Sequence, residues 1–392
     1  MTPLRAFRIV FAKELMDGAR DRRSITSLLV SAMITPLLFG LMFTVIADRR
    51  RNADQIRLPV QGADRAPALI DWLRQQTGVE IVAAPADPEQ AVRDRKEDIV
   101  LVIGDDFAKN MTRATPAPVK LVSDATRDSV RPKVTRVRNL VAAYSNITGG
   151  LRLIARGVAP TVATALRVEE VEVSSAQQRL AAQLSILPFL LVIAALTGSI
   201  QVAIDSTAGE RERGSLEPLL LNPVGHGSLA AGKWLAAATF GCGAVLFSMV
   251  LTMSVLRRVP WHDLGMRFRV SDAELLSLLA LILPLALLLS AIVSFASTFA
   301  RSFKEAQSYL GMLMLIPMLP GIVSTVYPLS GRPWLAPIPI LGQYALSADV
   351  LGGNRPHALY YVVAALTAIA AGVVFVALTA RLLRREAIVF GR

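Results

Sequence analysis

Few residues in this 392-residue chain have the types and spacing that chemistry requires. Gly227 to Lys233, GSLAAGK, matches the spacing of a phosphate-binding P-loop, in which backbone N–H groups cradle phosphates and the lysine reaches the terminal ones. Trp234 follows where a magnesium-binding Ser or Thr is needed, and no strand precedes the loop, so nucleotide chemistry is not expected there. A single cysteine, Cys242, and three scattered histidines, His226, His262 and His357, cannot build a disulfide, a zinc site or a thiol centre. No catalytic residue, metal or cofactor is therefore expected. Two constellations remain. Glu210, Arg211, Glu212 and Arg213, then Gly214, Leu216, Glu217 and Leu219, would form a short helix with a charged head and an apolar flank, suited to being gripped by another protein. Thr197, Ser199 and Gln201, with Ser290, Ser294, Ser297 and Thr298, are polar clusters that can line a substrate path or hydrogen-bond helices together.

The elements that must position these residues are apolar. The chain is 53% hydrophobic and only 18% charged, with a mean hydropathy of +0.48, the composition of a membrane protein. Six windows lack Asp, Glu, Lys, Arg and His: residues 24–47, 180–204, 234–256, 275–300, 306–329 and 358–380. Each exceeds the roughly 20 residues needed to cross a bilayer as a helix. The segment from Trp334 to Leu351 has prolines at 333, 337 and 339 near its start, so within the external loop 330–357 it reads as a short interfacial or re-entrant helix packed against protein. Basic residues dominate both ends, 1–23 and 381–392, which places both termini in the cytoplasm; Arg49, Arg50 and Arg51, just after the first span, argue the other way. The loop 205–233 then lies inside, and Lys233 reads as an anchor at the inner face. The net charge of +12 is spread over membrane flanks and the polar block without an aromatic platform, which argues against nucleic acid.

Residues 48–179 are the one large polar block, extracytoplasmic in this topology. Strand-like runs at Leu58–Val60, Val79–Ala83, Ile99–Ile103 and Val119–Val122 alternate with helical patterns, the signature of a small α/β domain. Val130, Val134, Val137, Val141, Tyr144, Leu151 and Val158 then follow a 3,4 spacing across Gly149 and Gly150, as in a kinked helix whose seam packs on its own domain or on a second copy. At the N-terminus, Leu4, Phe7, Phe11 and Leu15 cover an arc of roughly 80° on a helical wheel. This is an amphipathic helix expected to lie in the inner membrane interface, leading by a sharp turn into the first span.

An interfacial N-terminal helix, six spans, an insert after the first and a charged helical loop after the second resemble the permease subunit of type-2 ABC exporters, in the branch that includes the sodium-extruding NatB-like permeases. The similarity rests on Lys13-Glu14-Leu15 and Arg20-Asp21-Arg22-Arg23, on Gly209 to Gly214 with Leu216, Glu217, Leu219, Leu220 and Pro223, and on Ile338-Pro339 with Leu341-Gly342-Gln343-Tyr344. The resemblance implies an α-helical polytopic membrane protein of the inner membrane. It further implies that the loop from Gly209 docks as a coupling helix into a separate ATPase subunit that binds ATP, and that two permeases pair. The cargo implied is sodium or, given spans without ionisable residues, an amphiphilic small molecule. Glu210, Arg213 and Glu217 are expected to make the polar docking contacts, or else to pair with the N-terminal helix. An ATP-independent carrier or channel, and a membrane sensor with an external ligand-binding domain, are the alternatives from other classes.

Overall fold

The computed structural model describes residues 2–124, 126–127, 130–163, 176–221, 224–261, 270–327 and 329–384, without the side chains of 49–54, 176–179, 217, 220, 221, 324 and 325. Pro223 and most of the basic tail, invoked above, lie outside it.

The chain forms two units, Met1–Phe43 with Ser174–Arg392, and Thr44–Val173. The first is helical. Helix α1 spans Pro3–Arg20, and α2, Arg22–Asp54, carries the first apolar run and continues into the second unit. After the second unit come α7 (Ala176–Leu184), α8 (Leu187–Ile204), α9 (Glu210–Glu212), α10 (Leu216–Leu221), α11 (His226–Leu256), α12 (Asp272–Ser297), α13 (Phe303–Leu313), α14 (Leu315–Val326), α15 (Leu341–Leu351) and α16 (Ala358–Leu382). Among the described residues six stretches are long and apolar enough to cross a membrane: Arg22–Asp48, Leu180–Glu212, His226–Leu256, Asp272–Ser297, Phe303–Val323 and Ala358–Leu382. They correspond to the six uncharged windows. The second to fourth are 56, 56 and 61% buried within the chain and the others only 33, 22 and 22%, so α8, α11 and α12 form the centre and α2, α14 and α16 turn broad apolar faces outward. The fifth is broken at Met314 because Pro317 has no N–H to offer the carbonyl of Leu313. Within the eleven residues of α15 most side chains are buried; Gln343 donates to the carbonyl of Ala364 and the Tyr344 hydroxyl to that of Pro317, so this helix is held by protein.

Helix α1 forms as expected over the N-terminal segment and also packs on the rest of the first unit. Its protein-facing stripe is Ala6, Val10, Glu14 and Gly18, and Phe7, Phe11 and Leu15 sit at the edge of that contact while Leu4 is exposed. A membrane helix turns its large apolar residues to lipid and its small ones to its neighbours, because lipid is as apolar as leucine and close backbone approach is what gains contact energy. The approach to α11 is tight: a Cβ on Gly232 would lie 2.7 Å from Val10 Cγ1. Alongside, a Cβ on Gly241 would lie 2.8 Å from the Ala195 carbonyl oxygen, so α8 and α11 are equally close.

The second unit contains a four-stranded sheet, order β2-β1-β3-β4, built from β1 (Ile56–Gln61), β2 (Val79–Ala83), β3 (Ile99–Ile103) and β4 (Val119–Ser123). β1 pairs parallel with β2 and β3, and β3 antiparallel with β4, with Leu58 opposite Ile81 and Leu101 opposite Leu121. α3 (Pro67–Arg74), α4 (Pro88–Arg93) and α5 (Phe107–Thr112) connect the strands, and α6 (Arg131–Ile154) follows. Leu58, Leu73, Leu101, Ile103 and Val137 form the centre of its core. The valine seam therefore packs on its own domain through Val134, Val137 and Val141, but no kink occurs: α6 runs unbroken through Gly149 and Gly150, and Leu151 is exposed.

Candidate functional site

The charged segment after α8 begins with a π-helical turn at Asp205–Gly209, an over-wide turn that shifts the phase of the residues beyond it. Every charge described in the segment is then used within the chain. Glu210 is 5% exposed and accepts from two lysines: Lys13 Nζ at 2.7 Å through Oε1 and Lys233 Nζ at 2.6 Å through Oε2. Both lysines also contact Glu14 Oε1, Lys13 at 3.0 Å and Lys233 at 2.8 Å. The four groups close a neutral ring that joins α1, α9 and α11. Burial opposes the charge on Lys13, yet the carboxylates of Glu210 and Glu14 outweigh it and hold its pKa above the ordinary lysine value.

The next three charges reach other elements. Arg211 donates to the carbonyls of Thr298 and Ala300, both at 2.8 Å, satisfying the C-terminal end of α12. Glu212 accepts from the Phe303 N–H at 2.7 Å, at the first turn of α13. Arg213 returns to Asp205 at 2.7 Å across the π-turn. Gly214, at φ +68°, reverses the chain, and Ser215 N–H donates back to the Glu210 carbonyl. In α10, Leu216 is buried and Leu219 packs against Val10, Leu229, Ala230 and Leu383. The outer surface of the segment is left to Glu212, Arg213, Gly214, Ser215 and Pro218; the Glu217 side chain lies outside the described residues.

Of the docking residues read from sequence, Glu210, Leu216 and Leu219 thus point into the chain, and Glu210 takes the alternative role of pairing with the N-terminal helix. The sequence reading missed Glu14 and misplaced Lys233, which is no face anchor but a buried ring member, 3% exposed, on the first turns of α11. Its P-loop-like spacing is helical throughout. The signal for Glu14 was available: it lies four residues from Val10 and from Gly18, on one helical stripe.

The polar clusters of the spans are mostly turned back on their own helices. Thr197 donates to the Ile193 carbonyl, Ser199 to that of Leu196, Ser290 to that of Leu287 and Thr298 to that of Ser294. Gln201 is half-buried on α8. Other contacts cross between helices: Ser27 Oγ donates to the Thr197 carbonyl at 3.1 Å, Thr207 Oγ1 meets Ser297 Oγ at 2.7 Å, and Ser297 Oγ reaches the Ala203 carbonyl at 3.4 Å, tying α8 to α2 and both α8 and the π-turn to α12. Ser294 Oγ is buried without a partner among the described residues and lines, with Thr207, Arg211, Lys233 and Thr298, a cavity of about 10 Å³, room for roughly one water.

Comparison with known proteins agrees with this architecture. The family model described as ABC-2 family transporter protein matches residues 24–381. The ABC transporter permease protein NatB of Bacillus subtilis (strain 168) is 30% identical over 316 residues, covering 79% of this chain and 80% of that protein. No solved structure matches significantly. Six apolar spans around a π-turn, with its charged segment fastened to four helices, are thus the membrane-embedded part of an ABC transporter, and the chain belongs to the ABC-2 family of transporter permeases.

Proposed function

We propose that this chain is the membrane half of an ATP-driven exporter and that Asp205–Leu221 is the element on which a separate ATPase subunit bears, ATP being bound and hydrolysed on that partner. The observation that supports it is the distribution of ionic contacts: Glu210 joins α1 and α11, Arg211 the end of α12 and Glu212 the start of α13. A push on the exposed face of this segment would reach four helices at once, as a lever between subunits must. Docking then falls to the exposed Arg213, Ser215 and Pro218, with Glu217. Both termini and this segment face the cytoplasm, the α/β unit faces outward, and two copies pair over two ATPases in the inner membrane. The outward apolar residues of α2 and α14, such as Leu37, Leu41 and Leu319, suit lipid or a second copy.

Cargo follows from what the spans offer. Hydroxyls already donating to their own helices are packing contacts, and no Asp or Glu lies among them, so an amphiphilic small molecule fits better than sodium. A cavity of about 10 Å³ cannot hold such a molecule, so its path must open as helices separate or between two copies.

The test is cross-linking. In a Cys242→Ala background, Ser215→Cys and Pro218→Cys should cross-link to the ATPase co-expressed with the chain, and Asp71→Cys in α3 should not. An ATPase that cross-links through Asp71→Cys, or at neither loop position, would overturn the assignment. The purified chain should hydrolyse no ATP, and Asp105→Cys should be labelled from the side of the membrane opposite a reporter fused after Arg392.

A further inference from the structure

The α/β unit contains a cleft of about 520 Å³ between α6 on one side and α5 with β4 on the other. This lies within the roughly 300–1,000 Å³ of small-molecule sites. Its apolar wall includes Leu69, Phe107, Met111 and Val141, the first two nearly fully buried, so the wall belongs to the domain core. Two arginines, Arg138 and Arg152, stand on the α6 side, and among the described residues no Asp or Glu lines the cleft. They lie on one face of α6 about four helical turns apart, so they mark opposite ends of the trough. Arg152 is fixed across the cleft by a hydrogen bond to the Met111 carbonyl at 3.1 Å. Arg138 is exposed and has no acidic partner among the described residues, and it also lines an adjoining cavity of about 250 Å³ that shares Val119 and Val141.

We propose that this cleft binds an amphiphilic anion, a small molecule with an apolar body seated on Leu69, Phe107, Met111 and Val141 and a carboxylate or similar headgroup held by Arg138. Charge complementarity selects the class: an apolar trough with a cation at each end and no acid among the described residues disfavours cationic amphiphiles, and an anion gains charge-assisted hydrogen bonds that a neutral headgroup does not. A guanidinium offers a planar fork of donors that matches a carboxylate, and among the described residues nothing occupies that fork on Arg138. The inference concerns the α/β unit alone and does not depend on the transport reading.

The test uses the full chain in lipid nanodiscs without ATPase, with empty nanodiscs as the blank for partition into lipid. Saturation-transfer NMR and equilibrium dialysis would compare decanoate, decanol and decyltrimethylammonium. Decanoate should bind best, and Arg138→Gln should weaken it about tenfold, the loss of charge-assisted hydrogen bonds. Arg138→Lys should retain most of the binding. Ala142→Trp, which fills the cleft while keeping both arginines, should weaken decanoate as well, while Arg93→Gln in α4 should not. Equal binding of the three headgroups, or decanoate binding unchanged by both Arg138→Gln and Ala142→Trp, would overturn the proposal. So would a loss on Arg152→Gln with none on Arg138→Gln, which would seat the headgroup at the other end.

Discussion

Two ionic clusters in this chain use the same functional groups in opposite surroundings. In the ring of Lys13, Glu14, Glu210 and Lys233, the last three side chains are 4–6% exposed. In the α/β unit, Asp98 accepts from Arg127 at 2.9 Å and Lys133 at 2.7 Å, with side chains 24–35% exposed. Distances alone would rank the two as equals. Desolvation separates them: water can solvate Asp98 if a partner is lost, whereas a widowed charge in the ring has only the other ring members and neighbouring helices to turn to. The ring therefore makes each member dependent on the others, as the proposed lever would require, and the Asp98 cluster only trims the surface of one domain.

The largest break in that comparison is Lys233→Met. It leaves Glu14 and Glu210 buried with only the half-exposed Lys13 between them, and removing one partner from a buried set costs about 3–5 kcal/mol. Thermal unfolding in nanodiscs should show it as a severe loss of stability. Adding Glu210→Met should restore most of it, because the Lys13–Glu14 pair remains and apolar replacement of a buried pair is often neutral. The double variant should nevertheless lose transport, since α1, α9 and α11 are no longer joined. Stability and transport recovered together would mean the ring is packing without a coupling role.

Lys13→Met probes the exposed corner of the same ring. Lys13 is 46% exposed, so solvent shields what it leaves behind, and the expected loss is smaller, about 1–2 kcal/mol. Its pKa is raised by Glu210 and Glu14, so its contribution is fully present below the ordinary lysine value of 10.5 and fades as pH rises through the elevated folded value. An unfolding difference between wild type and Lys13→Met that persists unchanged at high alkalinity would show that the stem of Lys13, and not its charge, stabilises the ring.

Periodicity and composition carried the fold further than the site. Uncharged windows marked the spans, and alternation of strand-like and helical runs marked the α/β unit, because burial in lipid or in a sheet acts on every residue of a segment. Direction was harder to read. The helical wheel of α1 shows Leu4, Phe7 and Phe11 as the apolar face, but it cannot say whether lipid or protein covers that face; in a membrane the small residues Ala6 and Gly18 mark the protein side. Glu210 takes the alternative of the two roles read for it, for a related reason. Its charged neighbours suggest a surface, and only the π-turn at Asp205–Gly209, which no propensity encodes, sets the phase that carries Glu210 to Lys13 and Lys233 while Arg211 and Glu212 reach α12 and α13. Lys233 could have been suspected as the one lysine within 31 residues of otherwise apolar helix.

The smallest effect belongs to the second cluster. The hydrogen bond from Lys133 holds the Asp98 carboxyl below its ordinary value against a partial burial that would raise it, with Coulomb attraction from Lys133 and Arg127 adding to the same side. A carboxylate whose folded pKa is depressed contributes stability that is present above the unfolded value of 3.8 and is lost as pH falls through the folded one. Because the cluster is about a third exposed, screening limits the contribution to about 0.2–1 kcal/mol. Amide hydrogen exchange of β3 and β4 should therefore show Asp98→Asn slightly less protected than wild type at neutral pH, with the gap closing as the medium is acidified past that range. A gap above about 3 kcal/mol, the scale of a buried set, would mean that partial exposure does not protect Asp98, and the contrast drawn from desolvation would fail.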